Sequence, residues 1–225
     1  SPDFLDTKTS PFMDYPNGQV VDLELFQDFT LPMVLKNTEV LASGVQLVSG
    51  TVLGHPESRF QMTVLDGSAS LSIEVSPDER YLVDELNDDI YEIQEIDPAL
   101  VPPCLGPMPI FLDADLLAAR GQESEVRGAY NSTAAQASDP KADALIDLLV
   151  VYSSDLADVY SFTSIRIKTE LAVAQANGDF ERSGARVRVR LAHIQAIDYT
   201  ENGSNSDALE RIRRAFDSYM DEVHA

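Results

Sequence analysis

The sequence predicts an α+β protein, with an antiparallel β-rich N-terminal part followed by an incomplete α/β part of β-α-β-α order. Three observations point there. Short apolar/polar alternations with Gly, Pro and Asp turns fill residues 1–113, and alternation of period two marks half-buried strands. A near-continuous apolar run, I-D-L-L-V-V-Y, then opens a region of helical periodicity. Between the two lies a small, polar, alanine-rich stretch at 114–143 with no sustained apolar period, which reads as a linker. The expected boundaries are therefore 1–113, 114–143 and 144–225.

The first strand is V-V-D-L-E-L-F (20–26), with Val21, Leu23 and Leu25 on one face. V-Q-L-V-S-G-T-V-L-G (45–54) and R-F-Q-M-T-V-L (59–65) follow, the latter with Phe60, Met62 and Val64 in register. Asp66-Gly67 is a hairpin turn, after which A-S-L-S-I-E-V (69–75) returns with Leu71, Ile73 and Val75. R-Y-L-V (80–83) and I-Y-E-I (90–93) add two strands, so an antiparallel sheet or sandwich is expected. A short helix fits 113–120.

Past the linker, residues 146–152 are expected to be a strand buried on both faces. A long helix spans 161–183, with Ile167, Leu171, Ala174 and Gly178 on one face and Val173, Ala176 and Phe180 on another; Ser183-Gly184 is its stop. A strand covers 186–199, where Arg186, Arg188 and Arg190 face away from Val187, Val189 and Leu191. The last helix runs from Asp207, with Leu209, Ile212, Phe216, Met220 and Val223 on its core face. The opening residues carry no basic-then-apolar leader pattern and read as a trimmed or mature end. The ending D-E-V-H-A reads as a cut inside a domain.

The net charge is −22, and residues 1–113 carry 20 acidic against 4 basic side chains. Such a surface repels a nucleic-acid backbone, so no nucleic-acid partner is expected. No apolar run is long enough for a membrane span. A single cysteine excludes an internal disulfide.

That cysteine, Cys104, lies in V-P-P-C-L-G-P-M (101–108), a loop stiffened by prolines on both sides. It reads either as an exposed functional thiol or as a small buried hydrophobe. Asp84, Glu85, Asp88 and Asp89 read as a solvated acidic turn; the residue order of a calcium loop is absent, so calcium is unsupported. His193 reads as a strand histidine and His224 as a packing or surface residue; His55 precedes Pro56 in a turn and receives no role. Asn131-Ser132-Thr133 and Asn202-Gly203-Ser204 fit the glycosylation triplet, which is frequent by chance.

Four blocks in order, I-D-L-L-V-V-Y, A-V-A-Q-A-N-G-D-F-E-R-S-G-A, V-R-L-A-H-I-Q-A-I-D-Y-T-E-N-G and the D-A-L-E-R-I helix ending in V-H-A, resemble the start of the catalytic domain of bacterial reprolysin-like zinc metallopeptidases of the metzincin clan. The stretch G-T-V-L-G-H-P-E-S-R-F-Q-M-T-V-L-D-G is similar to propeptides that precede such domains. The resemblance implies the precursor of a secreted or periplasmic zinc endopeptidase. It would comprise a β-rich propeptide and the N-terminal part of a zincin-like catalytic domain. It implies zinc in the full-length enzyme and a protein or peptide substrate. The family's H-E-x-x-H-x-x-G-x-x-H does not occur here, so the chain is expected to stop before the zinc site and to be inactive alone. Its partner is then the remaining part of the catalytic domain, or a second copy. The resemblance also makes Cys104 a candidate inhibitory zinc ligand, since a thiolate can close the position that a catalytic zinc keeps for water. Arg120, Arg127 and Lys141 become candidates for activation cleavage. The alternative is a non-catalytic binding protein with a β-rich module and a degenerate zincin-like fold.

Overall fold

A computed structural model describes residues 16–87, 90–100, 144–200 and 205–213. Seven strands form one antiparallel meander: β1 (Val20–Phe26), β2 (Phe29–Val40), β3 (Gln46–Val52), β4 (His55–Leu65), β5 (Ser68–Ser76), β6 (Glu79–Asn87) and β7 (Ile90–Ile96). Each pairs with its sequence neighbours. The β4–β5 turn is Asp66-Gly67, both at positive φ (52° and 88°), the conformation that suits the twist of a two-residue hairpin.

One face of this sheet carries its own core. Leu23, Leu35, Val48, Phe60, Met62, Leu71, Ile73 and Val83 are buried there, in one cluster drawn from β1 to β6. Gly50 lies under the Phe60 ring: a Cβ on it would sit 2.0 Å from the Val34 carbonyl oxygen and 2.6 Å from the ring. The sheet curls. Phe26 and Phe29, at the β1–β2 turn, bring their ring centroids within 6.3 and 5.6 Å of Tyr81 in β6, although four strands separate β1 from β6 in the sheet order. Register shifts at Glu24/Phe26, Leu35/Asn37 and Gly50/Val52 supply the local bends that such curling needs.

The second region begins with β8 (Ala144–Ser153), then α1 (Ser154–Val159), α2 (Phe162–Ser183), β9 (Val187–Ile197) and α3 (Asn205–Arg213). β8 and β9 pair in parallel, joined by the helical crossover that parallel strands require. Ser161 caps α2, its hydroxyl accepting from the Ser164 N–H, and Gly184 ends it in the left-handed conformation at φ 72°.

The expected fold class needs correction. The structure is mostly antiparallel sheet, a curled seven-stranded half-barrel with 56% strand and 24% helix among the described residues, and not an α+β protein with an α/β zincin-like domain. The physical reason lies in α2. Its buried residues Ile165, Ile167, Leu171 and Ala174 are not reserved for a parallel sheet of its own, because the helix packs on β4 and β5 as well as on β9. Residues of both regions belong to one compact unit. β8 is not buried on both faces either: Leu145, Ile146 and Leu149 are 37–47% exposed, since its only described strand neighbour is β9. β2 and α1 were not expected. Pro32 hides β2 by breaking its pattern, yet it pairs opposite Asp22 and its carbonyl accepts from the Leu53 N–H.

Candidate functional site

The β4 residues that point away from the sheet core are Arg59, Gln61 and Thr63, set between Phe60, Met62 and Val64 by strand alternation. From β5 and β6 come Ser70, Glu74 and Asp84. This outer face mixes polar side chains with the buried Leu47, which pairs with Thr63, and a helix lies on it. The occupant is α2.

The contacts run along the helix. The Thr63 hydroxyl donates to the Ile167 carbonyl at 2.9 Å, and the Gln61 amide donates to the Ala174 carbonyl at 3.1 Å. Thr63 and Ile167 are both fully buried. Helix residue numbers rise as β4 numbers fall, so helix and strand run in opposite directions. At the N-terminal end, Lys168 Nζ lies 2.8 Å from Asp84 Oδ2, while Asp84 Oδ1 accepts from the Ser70 hydroxyl at 2.5 Å. The same ammonium stands 5.1 Å from the Tyr160 ring centroid.

At the C-terminal end, five charges interlock. Arg59 reaches Glu74 at 2.6 Å and Asp179 at 2.8 Å; Arg182 reaches Asp179 at 2.7 Å and Glu74 at 3.5 Å; Arg80 also reaches Glu74 at 3.5 Å. Partial burial pushes the Asp179 carboxyl upward, but the Arg182 hydrogen bond and the Arg59 charge outweigh it and hold it below the ordinary carboxylate value. Gly178 leaves room for the Arg59 guanidinium, 3.2 Å from where a Cβ would stand. On its other side the helix grips β9. The Asn177 amide donates to the Val189 carbonyl at 2.9 Å and its oxygen accepts from the Val189 N–H at 2.8 Å. The arrangement holds a helix against the sheet.

The expected site residues fall elsewhere. Cys104, Arg120, Arg127, Lys141 and His224 lie outside the described residues, as do Asp88, Asp89 and the expected helix at 113–120. His55 opens β4 and gives its carbonyl to the Ser58 hydroxyl; His193 is exposed on β9. Among the described residues no three His, Cys, Asp or Glu side chains are grouped to hold a metal ion. These residues do not fit a zinc ion. Asp84 and Glu85 do not form a solvated turn: both lie in β6, Asp84 in the ion pair above and Glu85 buried at 7% exposure. Among the described residues no helix is long and apolar enough to cross a membrane.

No family model matches the chain. Three curated relatives do. A peptidyl-Asp metalloendopeptidase of Xanthomonas campestris pv. campestris is 35% identical over 92 residues, 41% of this chain and 22% of that protein. Peptidyl-Asp metalloendopeptidases of two Stenotrophomonas maltophilia strains are 33% and 32% identical over 81 residues, 36% of this chain and 19% of each. The matched part thus spans about a fifth of the relatives' length. The chain contains a region related to metallopeptidases, which are hydrolases that use a metal.

Proposed function

We propose that this chain is the proregion and the opening peptidase segment of a secreted zinc-dependent endopeptidase precursor of the reprolysin-like, metzincin kind. The observation that carries the reading is the similarity to three metalloendopeptidases, in a chain that contains no H-E-x-x-H. In this reading residues 1–113 are the propeptide and 114–143 the activation segment, cut at Arg120, Arg127 or Lys141. The curled sheet holds α2, which carries part of the resembling sequence, through the outer face of β4–β6. Cys104 is the thiol that would keep the full-length enzyme latent. Zinc belongs to the full-length enzyme and not to these 225 residues.

The test compares the chain with the longer polypeptide that contains it. Zinc content is measured by elemental mass spectrometry, and hydrolysis of a protein substrate is measured with and without a chelator. Stoichiometric zinc and chelator-sensitive hydrolysis are expected in the longer polypeptide and neither in the chain. A longer polypeptide with no H-E-x-x-H and no zinc would overturn the reading and leave a non-catalytic binding protein.

A further inference from the structure

At one end of the seven-stranded sheet, three buried polar atoms have no hydrogen-bond partner. They are Ser43 Oγ in the β2–β3 turn, Gln46 Nε2 at the start of β3 and Glu85 Oε2 near the end of β6. Strand alternation puts Gln46 on the face of Val48, and Glu85 on the face of Tyr81 and Val83, which is the inner, apolar face. The register sets the two in one cross-strand row. Gln46 pairs with Val64 and Val64 with Ala69. Ser70 pairs with Asp84, so Glu85 stands level with Ala69, and on its other side it pairs with Tyr91. Glu85 is only 7% exposed. A carboxylate buried without a partner is costly, and a cation relieves that cost. The cations along the sheet and α2 are engaged elsewhere: Lys168 reaches Asp84 on the opposite face, and Arg59, Arg80 and Arg182 reach Glu74. The Gln46 nitrogen has the opposite need, an acceptor.

We propose that this end of the sheet is a binding site for a basic side chain carried by a peptide of another molecule. The guanidinium or ammonium of that side chain pairs with the Glu85 carboxylate. A peptide carbonyl beside it accepts from the Gln46 amide, and the Ser43 hydroxyl offers a further polar group at the same end. The negative balance of residues 1–113, 20 acidic against 4 basic side chains, draws such a cation in. A ligand with both a cation and a carbonyl answers the carboxylate and the amide together, which a bare metal ion does not. The site goes beyond the precursor reading and does not depend on it.

The experiment titrates N-acetyl-arginine amide into the isotopically labelled full chain and follows the Gln46 side-chain amide and the Ala69 methyl by NMR. N-acetyl-citrulline amide, of nearly the same shape but uncharged, is the control. Saturable shifts at both positions are expected with the arginine compound and none with the citrulline compound. E85Q should weaken arginine binding about tenfold or more, the effect of losing one charge-assisted partner. No saturable shift in the unsubstituted chain would overturn the proposal, and this is also the result if a basic residue of the same chain already fills the site. Equal shifts with the two compounds, or an E85Q that binds as tightly as the unsubstituted chain, would overturn it as well. The comparison of the two compounds uses the unsubstituted chain and decides the matter even if E85Q fails to fold.

Discussion

The Thr63 hydroxyl donates a 2.9 Å hydrogen bond to the main-chain carbonyl of Ile167, 104 residues further along the chain, and neither residue reaches solvent. A β-branched polar residue on a strand thus fixes the height and register of a helix on the outer face of the sheet. T63V keeps the shape and removes the donor. The Ile167 carbonyl lies inside α2, where the helix ladder offers it a partner, so the loss should be about 1 kcal/mol. Urea unfolding should show a lower midpoint at unchanged slope. An unchanged midpoint would mean that the bond adds nothing to the docking.

Asn177 should matter more. Its side chain satisfies both the N–H and the C=O of Val189 on β9. N177A strands both main-chain groups in a half-buried place, at a cost of about 2 kcal/mol. The same unfolding assay reads it, and a loss no greater than that of T63V would count against this ranking.

Acid should loosen the C-terminal end of the α2 contact. The Asp179 carboxyl is held below its ordinary value, burial notwithstanding, by Arg182 and Arg59. A carboxylate with a depressed folded value contributes stability above its unfolded value and loses it as pH falls through the folded one. Stability should therefore decline more steeply with acid in the wild type than in D179N, below about pH 4. Parallel pH profiles would show that Asp179 adds no linkage.

Alkali should act on Tyr81. Burial against Phe26 and Phe29, with a 3.1 Å hydrogen bond to Glu79, pushes its phenol up to about 12 from 10.0. Raising the folded value favours the neutral phenol, so this stability is fully present below the unfolded value of 10.0 and fades as pH rises toward 12. Tyrosinate absorbance should show a late-titrating tyrosine in the wild type that is missing in Y81F. A titration curve unaltered by Y81F would contradict the assignment.

Much of the sheet was legible in the sequence because alternation is local: Phe60, Met62 and Val64 announce both a strand and its buried face. The stop of α2 was legible for the same reason, at Gly184. The docking surface was not. Arg59, Gln61 and Thr63 show the alternation of a solvent face, and the pattern does not distinguish water from a helix more than a hundred residues away. Ile167 and Leu171 announced an apolar face without saying that the antiparallel sheet would help β9 to cover it. A continuous apolar run reports what a strand such as β8 can bury, whereas its exposure depends on its neighbours.

The docking of α2 on the sheet is tested most directly by hydrogen exchange on the intact chain. Amides of Phe162–Ser183 and of β3–β5 are compared between the wild type, K168D and K168D combined with D84K. The expected result is faster exchange across α2 in K168D and its recovery in the double variant. Exchange in α2 that K168D leaves unchanged, or that the double variant fails to restore, would contradict it.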